Sequence, residues 1–443
     1  MRRTINTHRR QVACAWHQLL RGCVILLALP WAALADDAAQ APAPASDGQA
    51  PAPRTGFPSW FNPATAPFIP IPAIGVDPDS GTTLGILPVW LHTDENHDIR
   101  RIIAPDFVYN PYFGYGVDGR IYAYPSADEQ WSLVAGLKER VERNFDGEYQ
   151  TGRLREERWS INASLNFDRD GTPRFFGIGN ESPATAETNY TNQRQLAQVQ
   201  VGLNFNHTWQ LQYTLREEVV DVLPGTLARI ATIDARFSRT LGIGINDEVL
   251  NRIAVVYDTR NDLTAPTEGM QWIAYGGLAS RSGLFNDSMY SEVGVDGRAF
   301  WPITPKTIIA AHTALRYLPS SHAVPFWALS SIGGDRSEVG GEEPLRGFGA
   351  GRFYDHDSFS ASVEVRRTVA SFNAVSTYVD LEVTPFMDLG RVFSHSGTFP
   401  LEQLHHVYGL GFRGVARPFV VGYVDIGYGS EGLAAFTGLN YPF

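Results

Sequence analysis

Few residues in this sequence combine the type and the spacing that chemistry requires. Gly114-Tyr115-Gly116-Val117-Asp118-Gly119 and Gly409-Leu410-Gly411-Phe412-Arg413-Gly414 both fit Gly-x-Gly-x-x-Gly. A dinucleotide site needs that turn between a strand and a helix. No helix follows either match, so both read as Gly-rich strands. There is no Gly-x-Ser-x-Gly elbow and no His-Glu-x-x-His pair, and His405-His406 reads as a loop pair rather than a metal site. The sequence therefore offers no catalytic residue, no cofactor-binding residue and no metal ligand. What remains is Arg346, in the Gly-rich loop Leu345-Arg346-Gly347-Phe348-Gly349, and Asp388, in Phe386-Met387-Asp388-Leu389-Gly390. A guanidinium and a carboxylate form bidentate pairs suited to holding a loop in one pose, and Gly347 and Gly349 would allow a tight return. On the residues alone two alternatives stand level: a latched Arg346, or a loop Arg in solvent with no fixed partner.

Strands must position these groups. Ala197, Val199, Val201, Leu203 and Phe205 alternate with Gln198, Gln200, Gly202, Asn204 and Asn206. Trp209, Leu211, Tyr213 and Leu215 alternate with Gln210, Gln212, Thr214 and Arg216, and residues 159–168 repeat the pattern. Successive side chains of a strand point to opposite faces, so each segment has one apolar and one polar face. A soluble sheet shares that pattern. Aromatics closing the apolar faces, strand after strand, are instead the girdles of a transmembrane barrel. The spacing predicts sixteen strands, at 82–93, 99–109, 115–124, 129–143, 155–168, 194–206, 207–220, 251–261, 269–280, 289–301, 306–318, 357–368, 378–393, 406–415, 419–428 and 433–443. Segments 228–238 and 325–332 could add to these, which gives a range of fourteen to eighteen. The fold class is all-β: a transmembrane antiparallel barrel of about sixteen strands in the outer membrane. Turns such as Pro302-Ile303-Thr304-Pro305 then face the periplasm, and the long segments 169–193, 221–250 and 319–356 lie outside. On 378–393, Asp380, Glu382, Thr384, Phe386, Asp388 and Gly390 share one face, so Asp388 points into the barrel.

The ends and the composition agree with export. Arg2, Arg3, Arg9, Arg10 and Arg21 precede an apolar core, Cys23 to Leu29, and Ala33-Leu34-Ala35 offers cleavage before Asp36. The core is too short for a transmembrane anchor, which takes about 20 residues. Domains are thus a signal peptide (1–35), an Ala/Pro-rich tether, disordered to extended (36–74), and a barrel (75–443). The leader holds five of the 36 basic residues and none of the 47 acidic ones, so the remainder carries 31 against 47, a net −16. That charge excludes nucleic acid as a partner, because phosphate binding needs basic patches. Both Cys lie in the leader, which removes disulfides and thiol chemistry. No apolar run is long enough for a helical span. Aromatics are 12% of the chain and Gly contributes 42 residues, a composition that also suits a barrel.

The last strand alternates Ala435, Thr437, Leu439, Tyr441 and Phe443. A terminal Phe with an aromatic two before it resembles the signal read by the outer-membrane insertion machinery. Together Gly333-Gly334, Leu345-Arg346-Gly347-Phe348-Gly349, Phe386-Met387-Asp388-Leu389-Gly390, Gly409-Leu410-Gly411 and Asp425-Ile426-Gly427-Tyr428 resemble the surface-antigen domain of the BamA/TamA family of outer-membrane assembly and secretion pores. Tyr257-Asp258-Thr259-Arg260-Asn261-Asp262, with Pro266 and Gly269, resembles the periplasmic turn that enters that domain, and Phe175-Phe176-Gly177-Ile178-Gly179-Asn180 is similar to a stretch in smaller relatives. The resemblance is specific across 251–443 and loose across 82–250. It implies that the Arg346 loop folds back into the lumen to meet Asp388, a latch comprising Arg346, Gly347, Phe348, Phe386, Asp388 and Gly390. It also implies an insertion signal at Leu439, Tyr441 and Phe443. Implied partners are outer-membrane lipid, the insertion machinery during biogenesis, and an exported client protein or lipid. The family's assembly factors carry periplasmic POTRA repeats that receive clients, and 36–81 is too short and Pro-rich for one. Three functions follow: a POTRA-less transfer pore, a passive diffusion channel, or a barrel hydrolase acting at the rim.

Overall fold

The computed structural model describes residues 69–443 except 95–98, 283–285, 322, 375–376, 395–400, 417–419 and 440. The expected signal peptide, and the expected tether as far as residue 68, lie outside the described residues. In chain order the strands are β1 (Ile69–Asp77), β2 (Gly81–Thr93), β3 (Ile99–Ile103), β4 (Asp106–Asn110), β5 (Gly114–Ala123), β6 (Gln130–Lys138), β7 (Arg143–Thr151), β8 (Trp159–Asp170), β9 (Arg174–Phe175), β10 (Thr188–Asn204), β11 (Trp209–Pro224) and β12 (Ala231–Thr232). They continue with β13 (Gly244–Asp258), β14 (Gly269–Ser282), β15 (Asn286–Thr304), β16 (Thr307–Ser321), β17 (Ser330–Ile332), β18 (Glu342–Glu343), β19 (Phe353–Asp355), β20 (Asp357–Ala374), β21 (Thr377–Phe393), β22 (His405–Ala416), β23 (Val420–Gly429) and β24 (Gly432–Leu439).

The wall is an antiparallel meander in which neighbours in sequence are neighbours in space. One path runs β1-β2-β3-β5-β6-β7-β8, with β4 carrying on from β3 between β2 and β5. A second runs β10-β11-β13-β14-β15-β16-β20-β21-β22-β23-β24. The Asn204 N–H on β10 donates to the carbonyl of Arg158, beside β8, at 2.9 Å. At the other junction the Val76 N–H on β1 donates to the Thr437 hydroxyl on β24 at 3.3 Å. First and last strands therefore meet, as an all-β barrel requires.

The alternation in sequence becomes the two faces of this wall. Val199, Trp209, Leu211, Tyr213, Ile253, Val363 and Phe412 point outward and are exposed, while their neighbours Asn204, Gln210, Thr214 and Glu364 are buried inside. Beside the turns near 205–208 and 305–306 the outer face carries Trp131, Trp159, Trp209, Trp272 and Trp301; at the opposite rim it carries Tyr109, Tyr115, Tyr408 and Tyr428, all exposed. Two aromatic belts bounding an apolar outer band are how a barrel seats in a bilayer. The long connections before β10, before β13 and before β20 all leave from the Tyr rim, which is therefore the outer one.

Two long wall strands were absent from the sixteen read in sequence. β1 begins at Ile69, where the Pro-rich tether joins the sheet by pairing with β2 from Ile69↔Val89 to Asp77↔Gly81. Proline lacks a ladder donor and keeps to edge or end positions, and β1 is such an end. β7 fell in the gap left between 143 and 155, because the 129–143 segment was read straight through the tight turn at 139–142; that turn contains Val141 at φ 53°, with no Gly or Pro to mark it. Of the optional segments, 228–238 yields the two-residue β12 and one helical turn, Ile233–Arg236, and 325–332 yields the three-residue β17.

The segment between β16 and β20 starts from the outer rim and packs back inside. It builds a small sheet in the order β18-β17-β19. Ile332, Leu345, Phe348 and Phe353 of this loop pack on Phe386, Val392 and Val407 of the wall. Higher up, Phe326, Leu329 and Tyr354 join Tyr190, Val220, Leu250, Tyr290 and Leu318. The loop turns at Gly333 (φ 135°) and Gly334 (φ 76°), a backbone region favouring glycine. Gly347 lies in a tight turn closed by the Phe348 N–H to the Leu345 carbonyl at 3.0 Å, although neither it nor Gly349 has the positive φ of Gly333 and Gly334. Gly347 also lets the loop backbone lie against β23, where a Cβ would come within 2.7 Å of the Gly429 nitrogen.

Candidate functional site

Four consecutive strands each contribute an inward-facing charged group to one cluster: Glu364 on β20, Asp388 on β21, Arg413 on β22 and Asp425 on β23. They share a level because Glu364 pairs with Phe386, and Phe386 with Gly409, across the ladders. Gly409 leaves room for the Phe386 ring, and Gly411 for the Asp425 carboxylate; a Cβ at either would collide with them. That is the physical content of the Gly-x-Gly strand.

Arg346 enters this ring from the loop and is completely buried. Its Nε donates to Asp388 Oδ2 at 2.9 Å and its Nη2 to Oδ1 at 2.7 Å, a bidentate pair. Its backbone N–H adds a third bond to Oδ2 at 3.0 Å. Nη1 donates to Glu364 Oε1 at 2.6 Å and to Asp425 Oδ2 at 2.8 Å. The Phe386 ring lies under the guanidinium, 3.6 Å from its carbon to the centroid. Arg413 bonds both oxygens of Glu364, at 2.8 and 2.7 Å, and Arg366 Nε reaches Glu364 Oε2 at 2.9 Å. Three guanidiniums thus meet three carboxylates out of water. Such a cluster is sensitive to loss of any one member, since the others would be left buried and uncompensated.

Arg346, Phe348, Phe386 and Asp388, singled out in the sequence, come together here. Gly347 lies against Gly429, and Gly390 backs onto Ile332. Glu364, Arg366, Arg413 and Asp425 were given no role, although Arg413 and Asp425 stand inside the quoted motifs. Inward parity on 357–368 was the available signal for Glu364. Leu439 ends β24, paired with Gly422. Tyr441 and Phe443 turn inward: the Tyr441 hydroxyl donates to Glu382 at 3.1 Å, Arg366 lies 3.8 Å over the Tyr441 ring, and Phe443 stacks on His312 at 5.1 Å. His405-His406 is not a loop pair. Both begin β22, so they face opposite sides; His405 stacks on Phe353 at 4.0 Å and contacts the Asn180 carbonyl through Nε2 at 2.9 Å. Asn180, from the Phe-Phe-Gly-Ile-Gly-Asn stretch, also accepts a bond from the Val392 N–H at 3.1 Å.

A second polar group joins the loop to the wall. His312 Nε2 lies 2.7 Å from Asp296 Oδ2 and 3.2 Å from the Ser337 hydroxyl, which donates to Glu343 Oε2 at 3.0 Å. Burial, then the nearby Asp296 carboxylate, push Glu343 well above the usual carboxylate range. The Ser-His-Asp composition does not make a hydrolytic triad, because Ser and Asp both approach Nε2. A relay needs the hydroxyl on one ring nitrogen and the carboxylate on the other.

A closed antiparallel wall, apolar outside between aromatic belts and charged inside around an inserted loop, defines an outer-membrane β-barrel. Residues 129–414 match the model of the Omp85 superfamily domain, and the chain belongs to that superfamily, whose BamA/TamA-like pattern its motifs carry. Among solved structures the chain is similar to BamA from Haemophilus ducreyi lacking POTRA domains 1–3, at 13% identity and TM-score 0.48, covering 80% of this chain and 75% of that one. CdiB from Acinetobacter baumannii is similar at 13% identity and TM-score 0.48, covering 80% of this chain and 65% of that one. CdiB from Escherichia coli gives 10% identity and TM-score 0.43, covering 85% and 62%. The chain thus spans just under two thirds of each CdiB chain. No curated protein matches it.

Proposed function

We propose that this barrel is an insertion or translocation pore of the outer membrane, closed at rest by the loop between β16 and β20 and opened when that loop is displaced by a client protein or lipid. The observation that carries this reading is Arg346, held inside the lumen by Asp388, Glu364 and Asp425. A steady diffusion channel has no use for a loop packed into its lumen and fixed by a buried ion cluster. In planar bilayers the protein should conduct little and erratically, and Arg346→Ala should conduct more and more steadily. Wild-type protein with a large, constant conductance would sink the proposal in favour of the diffusion channel. Hydrolysis of phospholipid by pure protein, lost on replacing one Ser or His at the rim, would favour the rim hydrolase. We also propose that Phe443, Tyr441 and Leu439 act during biogenesis, as the signal that the insertion machinery reads before the strand closes. Deleting Phe443 should lower the heat-modifiable barrel in membranes and leave protease-sensitive chains in the periplasm.

A further inference from the structure

Asp296 on β15, His312 on β16, and Ser337 and Glu343 on the loop converge on one point that the Arg346 cluster does not touch. The imidazole nitrogen and the two carboxylates can each offer one atom within 4.8 Å of the others, and all three side chains are buried. The recorded donor separations are 2.7 Å (Asp296–His312), 3.0 Å (Ser337–Glu343), 3.2 Å (Ser337–His312), 3.4 Å (Ser337–Asp296) and 3.9 Å (His312–Glu343). Ligands bound at about 2.0–2.1 Å in a tetrahedral site lie roughly 3.3 Å apart, so these spacings centre on the shell of a small cation.

Charge sharpens the case. Asp296 keeps a guanidinium of its own, with Arg298 Nε at 3.2 Å from Oδ1. Glu343 is 4% exposed, and its described partners are the hydroxyls of Ser337 and Ser360, at 3.0 and 3.4 Å, and His312 Nε2 at 3.9 Å. Among the described residues no Lys or Arg pairs with it. A buried carboxylate with no guanidinium or ammonium bonded to it is suited to receive a metal ion.

We propose that Asp296, His312, Glu343 and Ser337 form a binding site for a divalent first-row cation, Zn2+ above all, that clips the loop to the wall. Imidazole among the donors favours Zn2+ over Ca2+ and Mg2+. The spacings also fall short of what Ca2+ bonds of about 2.3–2.6 Å require. His312 binds through Nε2 and carries its proton on Nδ1. Nδ1 has no protein acceptor among the described residues. A missing partner of that kind costs about 10–100-fold in affinity, so the site is an exchangeable one. The proposal concerns anchorage of the loop and stands whether or not the barrel transports anything.

The test uses the purified, detergent-folded full chain, stripped with EDTA and dialysed. Titration with Zn2+ should show one ion per chain, and Co2+ should give the strong visible bands of a tetrahedral site. Zn2+ should slow proteolysis within 319–356. His312→Ala should abolish the bands, and Glu343→Gln, which keeps size and hydrogen bonding, should weaken uptake at least about tenfold. Heat-modifiable migration reports that each variant is folded. If either variant fails to fold, Ser337→Ala, at a half-buried loop position, takes its place and should blunt the bands. Absence of stoichiometric uptake would overturn the proposal. So would uptake indifferent to these substitutions, or loop proteolysis that EDTA and Zn2+ leave unchanged.

Discussion

The strands β20 to β23 and the strands β1 to β8 belong to one wall, yet they spend their inward charges differently. On β20 to β23 the carboxylates Glu364, Asp388 and Asp425 are satisfied from the loop by Arg346 and from the wall by Arg413. On the early strands the pairing is within the wall. Arg120 on β5 reaches Asp106 on β4 at 2.7 Å and Asp118 at 3.5 Å. The loop's described bond to the earliest strands' side is the Ala350 N–H to Asp79, at 3.1 Å, in the turn between β1 and β2. One region is built around an inserted guest loop and the other around itself. The motifs legible in the sequence crowd into the first, because a guest fixes the identity of every side chain that must meet it. A self-satisfied wall constrains only the inward or outward parity.

The largest effect should follow from emptying the guest's position. Arg346→Ala leaves Asp388, Glu364 and Asp425 buried with Arg413 and Arg366 alone to share. Loss of one partner of a buried pair costs about 3–5 kcal/mol, and full burial of Arg346 places this case within that range rather than below it. The cost should appear as loss of the loop's pose. Limited proteolysis should cut within 319–356, while the heat-modifiable barrel persists. A loop as resistant as wild type would break the comparison at its strongest point.

A smaller effect should come from Asp388→Asn, which keeps one acceptor for the guanidinium and costs about 1–3 kcal/mol. Combined with Arg346→Ala it should cost less than the two singles summed, since both report one interaction. Additive costs, measured by loop proteolysis across a denaturant series, would mean that Arg346 is held chiefly by Glu364 and Asp425.

Parity and rim chemistry made much of this legible. Period-two alternation around Gln198 and Trp209 gave the barrel, and the Gly-flanked Arg346 and inward Asp388 marked two members of the ion cluster. What escaped reading was set by register and by unmarked turns. Asp296 and His312 stand sixteen positions apart and become neighbours only because Arg298 pairs with His312 across β15 and β16. Nothing in either strand announces that pairing. Arg413 and Asp425 were visible as letters but not as partners, since their contact at 3.3 Å depends on the register of β22 and β23, and Glu364, which takes the shorter bonds of Arg413, sits two strands from it. β7 was hidden because Val141 turns the chain where Gly or Asn is the usual sign, and β1 because prolines at Pro70 and Pro72 argue locally against a strand.

The smallest effect tests the other half of the comparison. Asp106 is fully buried, and Arg120 is 4% exposed. If the early wall is self-satisfied, weakening this pair should loosen the wall there and leave the loop untouched. In Asp106→Asn the amide oxygen can still accept from Arg120 Nη1, and Asp118 stands 3.5 Å from Nη2 as a second partner. The substitution therefore orphans no charge, but its amide nitrogen replaces the Oδ1 that accepts from the Asp118 N–H at 3.2 Å, and losing that bond should cost about 1 kcal/mol, the net worth of an ordinary hydrogen bond. The expected signature is a small fall in the denaturant midpoint of the folded barrel at unchanged slope. Cleavage within 319–356 should match wild type, and so should bilayer conductance. Asp388→Asn should show the reverse: altered cleavage at a near-constant barrel midpoint. If Asp106→Asn instead freed the loop as Asp388→Asn does, the two regions would be energetically one. Strain would then be passing through the wall from β4 to β21, and the division drawn between guest-binding strands and self-paired strands would fail.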